Sequence, residues 1–146
     1  NDLKQKLIEN ENLIFLLINL QFKNKYIRLS SVTLYLTATL ASHNTFFECL
    51  SSLEYESQEK LLENILKTIK SSKETHDLMC ATFILTKISE IQSLKEIIVK
   101  DKNSIEKLFK KNNSQLTEYV NLILDNIEGE INCAIHTCFF WRKLKI

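Results

Sequence analysis

The sequence contains no proline and a single glycine, Gly129, in 146 residues. These two residue types punctuate most turns, because glycine supplies positive φ while proline fixes φ and removes a donor. A β-sandwich or an α/β enzyme needs many glycine-bearing turns, whereas a helical protein needs few. The scarcity therefore points to an all-α fold. An excess of one charge is also missing: 19 Lys and Arg face 18 Asp and Glu, a formal net charge of +1. A dedicated nucleic-acid binder shows a basic excess or stripe, so this balance argues against that role. The longest apolar run, Leu13 to Ile18, falls far short of the ~20 residues that span a bilayer. No secretory leader pattern and no catalytic signature is visible. The chain begins at Asn1 without Met, which reads as a domain taken from a longer protein.

What is present is helical periodicity over a 45% hydrophobic composition, enough for one packed core. "KLLENILKTIK" places Leu61, Leu62, Ile65, Leu66 and Ile69 on one helix face. "LTEYVNLILDNI" does the same with Leu116, Tyr119, Val120, Ile123 and Ile127. Ten helices with very short connections are expected, at 3–9, 13–22, 26–41, 46–53, 58–70, 75–88, 94–100, 104–111, 115–128 and 131–144.

These helices repeat. A shift of 48 brings Leu17 onto Ile65, Tyr35 onto Phe83, Leu36 onto Ile84, Leu40 onto Ile88 and Cys49 onto Ile97. A shift of 91 brings Leu3 onto Leu94, Ile14 onto Ile105 and Leu17 onto Leu108. Asp2/Gln5, Thr45/Glu48 and Ser93/Glu96 all match a capping box, in which a short polar side chain caps a helix and the third residue on reaches back. Ser71/Glu74 and Asn103/Glu106 are two further candidates. Gly129 follows the ninth expected helix, where a left-handed residue is common.

The unit is a short helix, a second helix and a longer third one. Its clearest copy is "SLKEIIVKDKNSIEKLFKKNNSQLTEYVNLILDNI", from Ser93 to Ile127. This resembles an armadillo repeat, with the two-helix HEAT repeat as the nearest competitor. The resemblance implies a right-handed α-superhelix, or α-solenoid, of about three repeats at 2–41, 45–89 and 93–128, with a terminal cap at 130–146. Glycine usually separates the first two helices of such a repeat. Here "NEN" (Asn10 to Asn12) and "KDKN" (Lys100 to Asn103) stand there, and Asn and Asp tolerate left-handed backbone. In nuclear-import receptors of the family, third helices carry a Trp and, one turn later, an Asn that grip an extended peptide. The matching pairs are Tyr35/Thr39, Phe83/Lys87 and Ile123/Asn126, of which Asn126 alone keeps the residue type. What carries over is the general role of a non-catalytic scaffold that binds other proteins in an intracellular, reducing compartment. Two rivals are a compact viral Bcl-2-like bundle that takes a partner helix and a HEAT-like nucleic-acid-binding solenoid.

Two surfaces are candidates for the partner. If third helices line a concave groove, it presents Lys25, Arg28, Tyr35, Lys87, Asn121 and Asp125. Its basic members suit a peptide or helix with acidic residues. The other surface is the C-terminal "CFFWRKLKI", where Phe139, Phe140 and Trp141 are consecutive and cannot share one helix face. With Arg142 they form an end face suited to a partner or a homodimer, since aromatics and Arg are enriched at interface hot spots. The four cysteines, Cys49, Cys80, Cys133 and Cys138, read as small buried hydrophobes. His76/Cys80 and Cys133/His136 have spacings that could hold zinc, but zinc ligands more often sit on knuckles and turns. No metal, cofactor or catalytic residue is expected.

Overall fold

The structure is a computed structural model that describes residues 6, 10, 13, 27–42 and 44–143, with the backbone alone at 27–30, 44–45, 49 and 130–143. Apart from Lys6 and Leu13, which are both helical, the expected helices at 3–9 and 13–22 lie outside the described residues, as do Asp2/Gln5 and Lys25. Every described element is helical. In chain order they are α1 (Ile27–Ala41), α2 (Asn44–Ser52), α3 (Tyr55–Ser71) and α4 (Thr75–Ile88). A 3-10 turn, Gln92–Leu94, then leads into α5 (Lys95–Lys100). Next, α6 (Lys102–Glu106) continues as a second 3-10 turn, Lys107–Lys111, before the long α7 (Ser114–Lys143).

The burial pattern explains these elements. In α3, Leu61, Leu62, Ile65, Leu66 and Ile69 are buried along one stripe. The opposite face is polar, and there Lys60 Nζ meets Glu56 2.6 Å away. α4 differs, because Leu78, Cys80, Ala81, Thr82, Ile84, Leu85, Thr86 and Ile88 are all buried. A helix that is apolar around most of its circumference needs neighbours on several sides. α4 has them: it packs against α1, α3 and α7.

The observed bounds carry the offset of 48. α4 starts 75 − 27 = 48 residues after α1, and the segment 92–100 starts 92 − 44 = 48 residues after α2. Burial follows, since Leu34/Thr82, Leu40/Ile88, Phe46/Leu94 and Leu50/Ile98 are buried in both copies. The third long helix comes sooner, at 114 − 75 = 39.

Among the described residues the capping boxes do not form. Thr45 already lies inside α2, and Asn103 inside α6. Ser93 sits in a 3-10 turn, and α5 begins at Lys95 with no side-chain cap. Ser71 ends α3 and donates its hydroxyl to the Lys67 carbonyl at 2.8 Å. The reason is backbone geometry. A capping residue needs extended φ/ψ for its oxygen to reach forward. Leu94 (φ −101°, ψ −11°) and Asp101 (φ −101°, ψ 9°), which precede α5 and α6, are not extended. The "KDKN" turn contains no left-handed residue. The left-handed position is Asn112 (φ 50°), between the second and third helices of that unit. Its neighbour Asn113 makes the cap that was not foreseen: Oδ1 accepts from the N–H groups of Gln115 at 3.0 Å and Leu116 at 3.1 Å.

Gly129 does not end a helix either. It is helical, without positive φ, and α7 continues through it to Lys143. The C-terminal stretch therefore extends α7 instead of starting a separate capping helix. Between elements, Lys70 on α3 pairs with Asp101 at 2.6 Å and Lys102 pairs with Glu128 on α7, while within α6 Lys102 also meets Glu106 at 3.7 Å.

Asn113→Ala is expected to lower stability in urea unfolding by about 1 kcal/mol, while Ser93→Ala changes it by less than about 0.5 kcal/mol. Gly129→Ala should stabilise by roughly 0.5–1 kcal/mol, because a Cβ there meets nothing within 4 Å. A larger loss for Ser93→Ala than for Asn113→Ala would contradict the capping assignment.

Candidate functional site

The three long helices α1, α4 and α7 lie in that order, with α4 between the others. The candidate groove runs along the stripe that the offset of 48 marks on α1 and α4. On α4, Met79, Phe83 and Lys87 recur at i, i+4 and i+8 and are half-buried. On α1 the corresponding face carries Ser31, Tyr35 and Thr39, and on α7 it carries Glu118, Leu122 and Asn126.

The two seams between these helices are built alike. At the first, the Tyr35 ring lies 5.5 Å from the His76 ring, and Ser31 Oγ donates to Asp77 Oδ2 at 3.0 Å. At the second, the Phe83 ring lies 5.4 Å from Tyr119, and Asn113 Nδ2 approaches Met79 Sδ at 3.9 Å. Tyr35 and Phe83 are 83 − 35 = 48 residues apart, as are Ser31 and Met79. The same helix position thus makes an aromatic contact with the next helix twice.

Among the expected groove residues, Arg28 falls on α1, where only its backbone is described. Tyr35 is exposed beside His76. Lys87 is half-buried near the end of α4, eleven residues from His76, or ~16 Å along the helix at 1.5 Å per residue. Asn121 and Asp125 are exposed on α7. Tyr35 and Lys87 therefore stand at separate places along the groove. Phe139, Phe140, Trp141 and Arg142 share the C-terminal half of α7, and their side chains lie outside the description.

One register needs correcting. Ile123 is fully buried and cannot line a groove, while its neighbour Leu122 is exposed. Leu122 follows Phe83 by 122 − 83 = 39, the same step that separates the starts of α4 and α7. The polar residues one turn beyond are engaged locally. Thr39 donates to the Tyr35 carbonyl at 3.0 Å, and Asn126 Nδ2 donates to Ser89 Oγ at 2.9 Å. Neither presents itself as the family's peptide-gripping amide would.

Cys80 and His76 do meet, with Sγ 3.9 Å from Nδ1. Burial first, and the Asp77 carboxylate second, push the Cys80 thiol up from its ordinary value. That favours the protonated sulfur, the opposite of what thiolate chemistry requires. Among the described residues no group of three or more His, Cys, Asp or Glu side chains could hold a metal ion. No helix among them is long and apolar enough to cross a membrane. No protein-family model, curated protein or solved structure matches this chain.

Cys80 in the folded protein is expected to react with iodoacetamide at least about tenfold more slowly than in urea. Mass spectrometry of the Cys80 peptide reads the ratio, and equal rates in both states would refute its protected setting.

Proposed function

We propose that the chain is an armadillo-like protein-interaction module whose long helices offer a partner an extended surface. The observation that carries this reading is the recurrence of one aromatic seam contact, Tyr35–His76 and then Phe83–Tyr119, in successive helix pairs. Units that cannot bury their apolar faces alone stack into a continuous core and leave an elongated face for peptides, helices or domains. A compact bundle of the Bcl-2 kind also has a central apolar helix. It gives no reason for α1/α4 and α2/92–100 to share one offset of 48.

The partner surface is the groove, with the C-terminal aromatic stretch as its competitor. Arg28 and Lys87 favour acidic groups toward the α1 and α4 part. Exposed Glu118 and Asp125 on α7 favour a basic group at the other end. A segment whose charge changes sign along its length fits this arrangement better than a uniformly acidic one.

Arg28→Glu with Lys87→Glu is expected to reduce partner capture in a pull-down about tenfold or more, as removal of charged anchors at an interface does. Trp141→Ala should leave capture within about twofold, as for most non-hot-spot positions. If the charge variant retains every partner while Trp141→Ala loses them, the C-terminal face is the binding surface and the groove is not. Capture of nucleic acid alone, steeply dependent on salt, would replace this reading with the solenoid that binds nucleic acid.

A further inference from the structure

We propose that the 3-10 turn Lys107–Lys111 is a docking surface for an anionic lipid membrane, its lysines meeting the headgroups while Phe109 seats among them. The inference does not depend on the groove as a partner site.

The turn is held from below and bare above. A 3-10 helix has three residues per turn, so side chains three apart stack into ridges. Leu108 is only 4% exposed and, with the fully buried Ile105, ties the turn to the core. That sets Lys107 and Lys110 together on a second ridge and Phe109 on the third. Lys107, Lys110 and Lys111 are exposed, and the Phe109 ring among them is 36% exposed. Asn113 secures the far end, since its Oδ1 caps α7 and its Nδ2 approaches Met79 Sδ.

The charge on this turn is unopposed. Other lysines have acids beside them: Lys60 meets Glu56, Lys70 meets Asp101, and Lys102 meets both Glu128 and Glu106. Among the described residues, none of Lys107, Lys110 and Lys111 pairs with an acid. From Lys107 to Thr117 the sequence carries three cations and no acid, and the first turn of α7 carries none. A chain with a net charge of +1 thus gathers three positive charges around one ring within five residues.

The composition selects the occupant. Protein interfaces are enriched in Arg and depleted in Lys. A carboxylate or phosphate read at fixed geometry is met by the planar fork of Arg. Here every cation is a lysine, a point charge on a flexible stem. Such charges suit a fluid sheet of headgroups, which offers no fixed geometry to match. The long stems reach the headgroup charges while the ring lies lower, at the acyl boundary. Three lysines and one ring give a reversible contact, because stable attachment takes a second signal.

Vesicle co-sedimentation of the full chain tests this. In about 20 mM salt, where exposed charges are weakly screened, the wild type should pellet with phosphatidylcholine vesicles holding about 30% phosphatidylserine. It should not pellet with phosphatidylcholine alone. Raising the salt to about 150 mM should weaken the binding. Lys110→Gln with Lys111→Gln should lower the partition coefficient roughly 25-fold, about fivefold for each cation beside an anionic leaflet. Lys60→Gln with Lys67→Gln changes the net charge equally at exposed positions of α3, and should stay within about threefold of the wild type. Phe109→Ala should lower the coefficient at least about threefold and leave its salt dependence unchanged. Failure of the wild type to bind anionic vesicles at low salt overturns the proposal. So does equal binding to neutral vesicles, an equal loss in the two double variants, or a Phe109→Ala variant that binds as the wild type does. Capture by immobilised poly-aspartate at the same salt, with anionic vesicles left unbound, overturns it in favour of an acidic protein segment.

Discussion

The structure depends on the burial of one helix. α4 is enclosed by α1, α3 and α7, and Ala81, Ile84, Leu85 and Ile88 on it are all 0% exposed. Fully burying each of its larger aliphatic side chains is worth about 1.5–3 kcal/mol, so α4 supplies much of what holds its three neighbours in place. The helix also buries two threonines, and an unmet hydroxyl there would cost ~1–3 kcal/mol each. Both are met by carbonyls of the same helix: Thr82 donates to Leu78 and Thr86 to Phe83, each at 2.6 Å. An apolar circumference with internally satisfied hydroxyls lets one element serve three interfaces.

The all-α class was legible in the near absence of glycine and proline, and the long helices were legible in their apolar spacing. The expected span 75–88 coincides with α4, and 26–41 differs from α1 by one residue. Helix starts were less legible. A hydroxyl residue three places before a glutamate occurs wherever polar residues are common, and it becomes a cap only if the backbone at that point is extended. Ser93 and Asn103 lie inside helical turns and fail that condition, while Asn113 caps α7 without a glutamate at the third place. Gly129 misled in a similar way. Open space around its Cβ position shows that glycine is tolerated there without being required.

The candidate groove was legible in part. Tyr35 and Phe83 follow from the offset of 48, and both make the same kind of ring contact. Leu122 was mistaken for Ile123 because the last step is 39 residues, the second helix of that unit being shortened to Lys102–Lys111. Only the partner of each residue across a seam, such as His76 for Tyr35, reveals which stripe faces which helix. A single sequence shows that a helix has apolar stripes. It does not show which of them has a neighbour.

The threonines have a consequence for mechanics. Thr68, Thr82 and Thr117 each donate to the carbonyl four residues back, so these hydroxyl protons are spent along the chain and not on a neighbouring helix. The long helices are instead joined by apolar contact, by tilted rings and by a few directed bonds such as Ser31–Asp77 and Asn126–Ser89. Apolar contact has little angular preference, so adjacent helices can rotate slightly against each other before a directed bond breaks. The molecule is therefore stiff along each helix axis and compliant across the seams. A partner lying across α1, α4 and α7 would meet a surface whose curvature adjusts to it at low energetic cost.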